Sequence, residues 1–334
     1  MAPVVLCTLR LPEPAPTLIA GSADLRVLGR IPPTAELVAE VASGVDVLCP
    51  QLRDAITAEV LDAGRPRLRA VATYAVGVDN IDVAAATERG IVVGNTPGVL
   101  TEATADCAMG LLLAAARRLR EGDAEVRAGR FTGWEPEYLL GMDLPGALLG
   151  IVGFGRIGQA VARRALCFGM RVAYAQSARP AAVPDDLRDR VGPMPLDRLL
   201  AEADAISLHV PLTEQTRHLI DEAALRRMKP SSVLVNTARG AVVDEAALVR
   251  ALREGWIAAA GLDVYEAEPR LTPGLTECAN AVLAPHLGSA TVGTRAAMAE
   301  LCATNTLAAL RGELPPHCVN PQAWAAGAPP NLLG

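Results

Sequence analysis

Short apolar runs alternate with longer amphipathic segments along most of the chain. In the first part, the runs predict strands at Val4–Leu9, Val45–Cys49, Leu68–Thr73 and Ile91–Val93. A second series opens at 148–153 and continues with predicted strands at Val172–Ala175, Ala205–His209, Ser232–Asn236, Ala259–Leu262 and Ala281–Ala284. Strands that alternate with helical segments are typical of βαβ units. The pattern therefore predicts an α/β fold built on parallel sheets.

Two longer helices are predicted from runs of good helix formers. One extends from about Glu102 to Arg118, with Thr101 as its N-cap, and the other covers Ala296–Arg311. A threonine just before a helix can accept a hydrogen bond from a free amide of the first turn, which is why Thr101 is the expected cap. At 334 residues, the chain is long enough for two domains, each with its own core.

Composition and charge narrow the function classes. Hydrophobic residues make up 51% of the chain and charged residues 20%, which is enough apolar surface for folding. The net charge of -6 argues against a general nucleic-acid-binding protein, although one arginine can still create a pocket for a small anion. Apolar stretches such as Cys107–Ala116 are too short to span a membrane, and the N-terminus lacks the pattern of a signal peptide.

The seven cysteines lie far apart, without a C-x-x-C pair or any other spacing typical of metal ligands. Most free cysteines of this kind are small core residues. Such thiols are expected to be reduced, which indicates a cytoplasmic protein without a metal site.

Three glycines, Gly153, Gly155 and Gly158, form a G-x-G-x-x-G pattern between a predicted strand and a predicted helix. In this context the glycines permit a tight turn, a close approach of backbone to a pyrophosphate, and close packing of helix on strand. The helix N-terminus contributes free amides and the positive end of its dipole. The pattern predicts a dinucleotide-binding site, with an unliganded glycine-rich turn as the alternative.

The second strand of this series bears on which dinucleotide is bound. NAD sites usually have Asp or Glu about 20 residues after the glycine pattern, where it binds the ribose hydroxyls. Here the strand leads into Gln176 and Ser177, and no acidic residue occurs between Gln159 and Pro184. Ser177 could donate a hydrogen bond to a 2′-phosphate, and Arg179 could supply charge, unless it is simply a solvated loop residue. The sequence therefore favours NADP(H) over NAD(H).

Three polar residues follow predicted strands in the second series. Arg239 lies in the segment NTARG, Glu268 in GLDVYEAEP and His286 in APHLGSA. Open α/β sheets bind ligands beyond the carboxyl ends of their strands, so these side chains are candidates for one site. Taken singly, a surface arginine, a Glu-Pro turn and a structural histidine are the ordinary interpretations. His209 also follows a strand, and it is expected to line the adenine side of the cofactor.

These residue types suit the reduction of a 2-keto acid. An arginine fork can bind the carboxylate and polarise the neighbouring carbonyl. When hydride reaches C2, the carbonyl oxygen needs a proton, which histidine can donate near neutral pH. A nearby carboxylate would orient the imidazole and favour its charged form. The hypothesis gives these roles to Arg239, His286 and Glu268, and no G-x-S-x-G segment supports a serine hydrolase.

Several segments, in this order, resemble those of the D-2-hydroxyacid dehydrogenase family. They are YAVGVDNID at 74–82, NTPGVLT at 95–101, GFGRIGQAVARRA at 153–165, NTARGAVVDE at 236–245, GLDVYEAEP at 261–269 and APHLGSAT at 284–291. The resemblance covers nearly the whole chain and is strongest to the glyoxylate/hydroxypyruvate reductase branch. It implies an NAD(P)-dependent enzyme that reduces a small 2-keto acid.

The resemblance also implies two Rossmann-like or flavodoxin-like domains with parallel sheets and an active-site cleft between them. Residues 1–98 with 288–334 would form a discontinuous substrate domain, and 99–287 the dinucleotide-binding domain. Closure would exclude water during hydride transfer. Family members are usually dimers, formed through the helix near 102–118 and the following segment, which contains Trp134 and Tyr138.

The family pattern further implies roles for individual residues. Arg239 would bind the substrate, Glu268 would pair with the histidine, and His286 would act as acid and base. The other expected substrate contacts are Leu52, Arg53, Ala75, Val76 and Gly77, with the amides of Val76 and Gly77 holding the carboxylate. Asp263 would hold the nicotinamide carboxamide. Further expected cofactor contacts are Thr104, Arg156, Ile157, Val210, Pro211, Thr216, Thr237, Ala238 and Gly288.

Departures from the family pattern keep alternatives open. Phosphoglycerate dehydrogenases of the family have an acid at the position of Gln176, and many add a regulatory C-terminal domain for which this chain is too short. Phosphite dehydrogenase shares the region Gly133-Trp134-x-Pro136 but has lysine at the position of Val76. Another small 2-keto acid or phosphite therefore stays open as the substrate. A non-catalytic, nucleotide-sensing scaffold is the alternative from a different class.

Overall fold

The computed structural model describes residues 2–175, 182–326 and 331–333. The chain forms two compact units: a first unit, Met1–Leu100 with Thr291–Gly334, and a second unit, Thr101–Ala290. The chain passes between them after residues 100 and 290, whereas the sequence predicts boundaries after 98 and 287.

A five-stranded parallel sheet forms the centre of the first unit. Its strands are β1 (Val4–Cys7), β2 (Asp24–Val27), β3 (Val47–Cys49), β4 (Ala70–Ala72) and β5 (Val92–Gly94), in the spatial order β2-β1-β3-β4-β5. The helices are α1 (Ala15–Ala20), α2 (Thr34–Ala42), α3 (Ala58–Ala63), α4 (Val83–Glu88) and α11 (Val292–Leu310). Side chains alternate across β1, so that Val4 and Leu6 join one buried cluster and Val5 and Cys7 another. The sheet is therefore covered on both faces, as is usual for parallel sheets.

A seven-stranded parallel sheet forms the centre of the second unit. Its strands are β6 (Leu148–Val152), β7 (Arg171–Ala175), β8 (Val191–Pro193), β9 (Ala205–Leu208), β10 (Val233–Asn236), β11 (Ala259–Leu262) and β12 (Ala281–Leu283), in the order β12-β11-β10-β9-β6-β7-β8. The helices are α5 (Thr101–Ala116), α6 (Leu119–Arg127), α7 (Arg156–Cys167), α8 (Leu196–Glu202), α9 (Glu222–Arg227) and α10 (Glu245–Glu254). β6 pairs with both β7 and β9, so the strand order reverses there. Open α/β sheets bind ligands at the carboxyl ends of the strands beside such a reversal.

The structure confirms the predicted α/β class with parallel sheets. Two edge strands, β2 and β8, are not among the predicted ones. β2 carries the exposed charged residues Asp24 and Arg26, and β8 contains Gly192 and Pro193, which are uncommon in strand interiors. An edge strand tolerates such residues because it pairs on one side only, so its sequence lacks the apolar pattern of a central strand.

Two predicted helix starts need correction. Thr101 is the first residue of α5 rather than its N-cap. α11 begins at Val292, because the side chain of Thr291 caps it by accepting a hydrogen bond from the amide of Thr294 at 3.2 Å. The cap places the helix start ahead of the predicted Ala296. Among the helices of the described residues, none has both the length and the apolar character needed to cross a membrane.

Candidate active site

The glycine-rich turn between β6 and α7 brings backbone close to backbone. Gly153 has φ 97°, a left-handed conformation that favours glycine, and a Cβ there would lie 2.6 Å from the carbonyl of His209. A Cβ at Gly158 would overlap the carbonyl oxygen of Gly153. By contrast, no atom lies within 4 Å of a Cβ built at Gly155, which precedes the first turn of α7. The N-terminus of α7 therefore has room for an anion.

The expected cofactor contacts lie at one edge of the seven-stranded sheet. Arg156 and Ile157 begin α7, and Thr104 lies in α5 beside Gly288. The remaining described ones follow the strands: His209, Val210, Pro211 and Thr216 after β9, Thr237 and Ala238 after β10, Asp263 after β11, and Gly288 after β12. Gln176, Ser177 and Arg179 lie outside the described residues. The carboxyl edge thus holds every described member of the set, with α5 supplying Thr104.

His209 lies in surroundings that keep it neutral. Its Nε2 lies 2.8 Å from the hydroxyl of Ser207, and its amide donates to the carbonyl of Val152 at 2.7 Å. Burial lowers the pKa of His209 to about 4, because the imidazolium would lose its hydration. Within the described part of the chain, its buried Nδ1 has no hydrogen-bond partner, nor does the buried hydroxyl of Thr237 on the neighbouring loop. Both atoms could bind polar groups of a ligand at this edge.

Asn236, the last residue of β10, fixes the loop that carries Arg239. Its side chain donates to the carbonyl of Arg239 at 2.9 Å, and its oxygen accepts the amide of Ala238 at 3.0 Å. Nη1 of Arg239 donates to the carbonyl of Ala238 at 2.8 Å. A buried asparagine that binds two points of a short loop restricts the conformations of that loop. Arg239 therefore projects from a braced turn.

Gly240 lets the Arg239 loop contact the loop after β11. A Cβ at Gly240 would overlap the backbone of Tyr265 and Glu266, so only glycine fits between the two loops. The contact brings the charge of Arg239 close enough to act on the carboxylate of Glu268.

Glu268 and His286 form a hydrogen-bonded pair. Nδ1 of His286 lies 3.1 Å from Oε2 of Glu268, while Oε1 of Glu268 accepts the amide of Tyr265 at 3.0 Å. Burial tends to raise the pKa of Glu268, but the hydrogen bonds from His286 and Tyr265 and the charges of His286 and Arg239 outweigh burial and lower the pKa. Glu268 is therefore a carboxylate at neutral pH. The side chains of His286 and Glu268 are 32% and 24% exposed, so the imidazole can still contact a ligand.

Asp263 holds the backbone at His286 and at the two residues after it. His286 has φ 58°, and its amide donates to the carbonyl of Asp263 at 2.9 Å. The Asp263 carboxylate accepts the amides of Leu287 at 2.6 Å and Gly288 at 2.7 Å. Burial raises the pKa of Asp263, while these two hydrogen bonds oppose the rise. One buried side chain thus stabilises a left-handed backbone that costs a non-glycine residue on the order of 1 kcal/mol.

The expected substrate contacts of the first unit lie on two loops. Leu52 and Arg53 follow β3, and Ala75, Val76 and Gly77 follow β4. Asn80 holds the first loop, because its side chain donates to the carbonyls of Gln51 at 3.0 Å and Asp54 at 2.8 Å. The carbonyl of Val76 accepts a hydrogen bond from the side chain of Asn95 at 2.8 Å. Amide side chains therefore shape both loops.

In the second unit, three residues that bind or pack against the loops of Arg239 and Glu268 are missing from the sequence-based set: Asn236, Gly240 and Glu245. The first two lie on either side of Arg239, and their types could have indicated a braced turn. No comparable signal marks Glu245, because an acid in the first turn of a helix is usually exposed, whereas this one is 2% exposed.

A family model described as D-isomer specific 2-hydroxyacid dehydrogenase, NAD binding domain, matches residues 109–288. The matched range contains the glycine-rich turn and all three of Arg239, Glu268 and His286. It lies within the second unit.

Several similar proteins are named glyoxylate reductase. One from Korarchaeum cryptofilum is 52% identical over 326 residues, which cover 96% of this chain and 96% of that protein. Another, from Thermococcus litoralis, is 47% identical over 98% of this chain and 100% of its own length. Among solved structures, an NADPH-dependent glyoxylate/hydroxypyruvate reductase from Sinorhizobium meliloti, in complex with NADP and malonate, is 34% identical. Its TM-score is 0.85, with 97% of this chain and 98% of that chain covered.

Proposed function

The chain belongs to the D-isomer specific 2-hydroxyacid dehydrogenases, and from this premise we propose that it reduces a small 2-keto acid, glyoxylate or hydroxypyruvate, with a nicotinamide dinucleotide. The observation that carries the proposal is the hydrogen bond between Glu268 and His286, with the charge of Arg239 beside it. Hydride transfer to a keto acid requires an acid/base pair for the keto oxygen and a cation for the substrate carboxylate. The cofactor in turn requires a helix end that binds its pyrophosphate.

The second unit fits a dinucleotide. The turn at Gly153 and the N-terminus of α7 would hold the pyrophosphate. Nδ1 of His209 and the hydroxyl of Thr237, buried and unpartnered in the described chain, would bind polar groups of the cofactor, and Asp263 would hold the carboxamide. When bound, the reduced nicotinamide supplies a hydride to C2 of the substrate.

His286 supplies the proton. Its Nδ1 faces Glu268, so Nε2 is the nitrogen that remains for the substrate. As C2 gains the hydride, negative charge develops on the keto oxygen, which takes the proton from Nε2 and leaves a neutral imidazole. The ionised Glu268 orients the ring through the hydrogen bond at Nδ1, which leaves Nε2 available to the substrate.

Arg239 and the loops of the first unit would hold the substrate. The guanidinium of Arg239 would bind the carboxylate and polarise the keto oxygen. The amides of Val76 and Gly77 would donate further hydrogen bonds to the carboxylate. The remaining lining would come from Leu52, Arg53 and Ala75.

Turnover with a panel of substrates tests this proposal. We expect NAD(P)H to be oxidised with glyoxylate and hydroxypyruvate, more slowly with pyruvate, and little with a bulky 2-keto acid. Reduction of NAD(P)⁺ with phosphite alone would replace the keto acid as substrate. Nucleotide binding without turnover of any compound would indicate a scaffold instead of an enzyme. Either of these last two outcomes would overturn the proposal.

We further propose that NADP(H) is preferred over NAD(H). This proposal rests on the sequence. No acidic residue occurs between Gln159 and Pro184, so this segment has no carboxylate that would repel a 2′-phosphate. The kcat/KM for NADPH should exceed that for NADH, and Gln176→Asp should shift the ratio towards NADH by about tenfold, which corresponds to ~1.4 kcal/mol. A ratio that the substitution leaves unchanged would contradict the electrostatic explanation.

We also propose a homodimer. Large apolar side chains are exposed in and after α6, namely Leu119, Val126, Phe131, Trp134 and Leu140. Clusters of exposed apolar and aromatic groups are typical of protein interfaces. Light scattering should give twice the mass of one chain, and Trp134→Glu should shift the protein towards the monomer. A monomeric wild-type protein at micromolar concentration would contradict the proposal.

A further inference from the structure

Glu245 is a buried carboxylate to which none of the roles above is assigned. It is the first residue of α10, after the N-cap Asp244, and it is 2% exposed. Burial of an ionisable side chain is unfavourable unless hydrogen bonds compensate it. A glutamate at the first position of a helix need not be buried. The burial of Glu245 is therefore due to the contacts that its side chain makes with a neighbouring loop.

Both carboxylate oxygens of Glu245 bind the loop after β11. Oε1 accepts the amide of Glu266 at 2.6 Å, and Oε2 accepts the hydroxyl of Thr272 at 2.6 Å. These partners lie on either side of Glu268 in the sequence. One side chain therefore clamps the loop that carries Glu268 at two points.

The same clamp is connected to the Arg239 loop. Gly240 packs against the backbone of Tyr265 and Glu266, and the turn Gly240–Val242 leads into the start of α10. The amide of Tyr265 binds Glu268, and the next amide along the chain, that of Glu266, binds Glu245. Because these two amides are adjacent, a displacement at Glu245 would be transmitted to Glu268.

We propose that Glu245 is a positioning residue that holds Glu268 against Nδ1 of His286. It acts through backbone and hydroxyl groups of the loop and does not contact the reacting atoms. Without the clamp, the loop can move Glu268 away from the imidazole, which would then lose its orientation. The effect on turnover rests on the proposed function, whereas the contact itself can be tested without turnover.

Glu245→Ala and Glu245→Gln separate positioning from a merely structural role. The alanine removes both acceptors, and we expect kcat for glyoxylate with NADPH to fall by about 10- to 100-fold while the Kd of NADPH changes by less than about twofold. Glutamine keeps an oxygen for the amide of Glu266 and offers its NH₂ group to the Thr272 hydroxyl, so kcat should stay within about threefold of wild type. Equal losses in the two variants, or parallel losses in kcat and NADPH binding, would overturn the proposal.

Asp204→Ala is the matched control. Its carboxylate also accepts a backbone amide, that of Leu148 at 2.8 Å, and pairs with Lys229 at 2.7 Å, but at the amino ends of β6 and β9. We expect a lower Tm with kcat per folded molecule within about twofold of wild type, because both partners lie away from the carboxyl edge. If kcat falls as far in this control as in Glu245→Ala, the loss is a general stability effect and the proposal fails.

The imidazole NMR signal of His286 reports the contact directly. The chain has four histidines, so ring-labelled protein gives few signals and His286→Ala assigns the relevant one. Thr272→Val removes one partner of Glu245 and serves if Glu245→Ala does not fold. Either variant should shift the His286 signal and leave that of His317 unchanged. An unshifted His286 signal would overturn the proposal even if kcat falls, whereas a wild-type protein without turnover would refute the proposed function and leave this test intact.

Discussion

At the carboxyl edge of the seven-stranded sheet, charged side chains bind other groups of the candidate site. Glu268 binds His286, and Asp263 binds the backbone beside His286. At the same edge of the five-stranded sheet, Asn80 holds the loop of Leu52 and Arg53, and Asn95 holds the loop of Val76 and Gly77, whose expected contribution is backbone amides. Both sheets are parallel, so in each of them the loops that follow the strands lie at the carboxyl edge. Charged side chains are therefore paired at this edge of the second unit, whereas amide side chains shape the loops at this edge of the first unit.

One buried carboxylate of each unit, Asp263 in the second and Asp54 in the first, differs in how its two oxygens are bonded. In the second unit, each oxygen of Asp263 accepts the amide of a neighbouring loop residue. In the first unit, Oδ2 of Asp54 accepts both the hydroxyl of Thr8 at 2.5 Å and the amide of Gln51 at 2.6 Å, while the buried Oδ1 has no partner in the described chain. A carboxylate with both oxygens hydrogen-bonded makes the loop that it binds more rigid. A buried oxygen without a hydrogen-bond partner instead lowers the stability of the fold by about 1–3 kcal/mol. Asp263 is therefore the more completely hydrogen-bonded of these two carboxylates.

The largest expected effect is that of His286→Ala, which tests whether the second unit supplies the proton. If the second unit supplies the proton, kcat for glyoxylate should fall by about 10²- to 10⁴-fold, because the substitution removes the proposed proton donor. The Kd of NADPH, measured by fluorescence, should stay within about twofold. His317→Ala in the first unit is the control and should leave both values unchanged. Equal losses in turnover and nucleotide binding would count against the acid/base role.

Gly240→Ala should have the next largest effect. The new methyl group overlaps the backbone of Tyr265 and Glu266, so the loops of Arg239 and Glu268 must separate. We expect kcat to fall by about 10- to 100-fold, because misplacement of about 1 Å can cost that much, with a lower Tm. Gly293→Ala in α11 is the control, since a Cβ there has no neighbour within 4 Å. A Gly240→Ala enzyme with wild-type kcat would show that the close contact does not matter.

The sequence indicates the chemistry of the second unit better than its geometry. Arg239, Glu268 and His286 can be recognised because reactive side-chain types follow predicted strands, and a parallel sheet gathers such positions at one edge. The left-handed backbone of His286 and the burial of Glu245 depend on loops distant in sequence, which no local pattern reports. They become visible only once the loops have packed together.

The first unit is harder to predict from residues alone. Backbone amides such as those of Val76 and Gly77 have no side-chain signature, so their expected role comes from the family resemblance. The roles of Asn80 and Asn95 are equally hard to predict from the sequence, because asparagine is common in loops whether or not its side chain holds another loop in place. The edge strand β2 is missed for a related reason, since its exposed charged residues resemble a loop.

Asn80→Ala sharpens the comparison at the first unit. It removes two hydrogen bonds to the loop of Leu52 and Arg53, so the KM for glyoxylate should rise by about 3- to 10-fold while kcat stays within about twofold. Asn280→Ala is the matched control, because its side chain also donates to two carbonyls, at 3.2 and 2.9 Å, but at the amino end of β12. Both variants should lose similar stability, about 1–2 kcal/mol. A kcat that falls tenfold in Asn80→Ala would show that the first unit does more than provide shape.

The smallest expected effect is a difference in how two carboxyls respond to acid. The pKa of Glu268 is lowered in the folded protein, so its ionised form stabilises the fold above the ordinary glutamate pKa of about 4.3, and this contribution is lost as the pH falls through the folded-state pKa. The free energy of unfolding of wild type should therefore approach that of Glu268→Gln as the pH falls from about 6 to about 3. Urea unfolding at a series of pH values measures the difference.

Asp54 should behave in the opposite sense. Burial raises the pKa of Asp54, which outweighs the hydrogen bonds from Gln51 and Thr8, so the folded protein binds this proton more tightly than the unfolded chain. Stability from this group is present below the ordinary aspartate pKa of about 3.9 and is lost as the pH rises through the raised value. Relative to Asp54→Asn, wild type should therefore gain stability as the pH falls, whereas relative to Glu268→Gln it should lose stability. Slopes of the same sign would mean that folding shifts the pKa of the two carboxyls in the same direction, contrary to the expected contrast between Glu268 and Asp54.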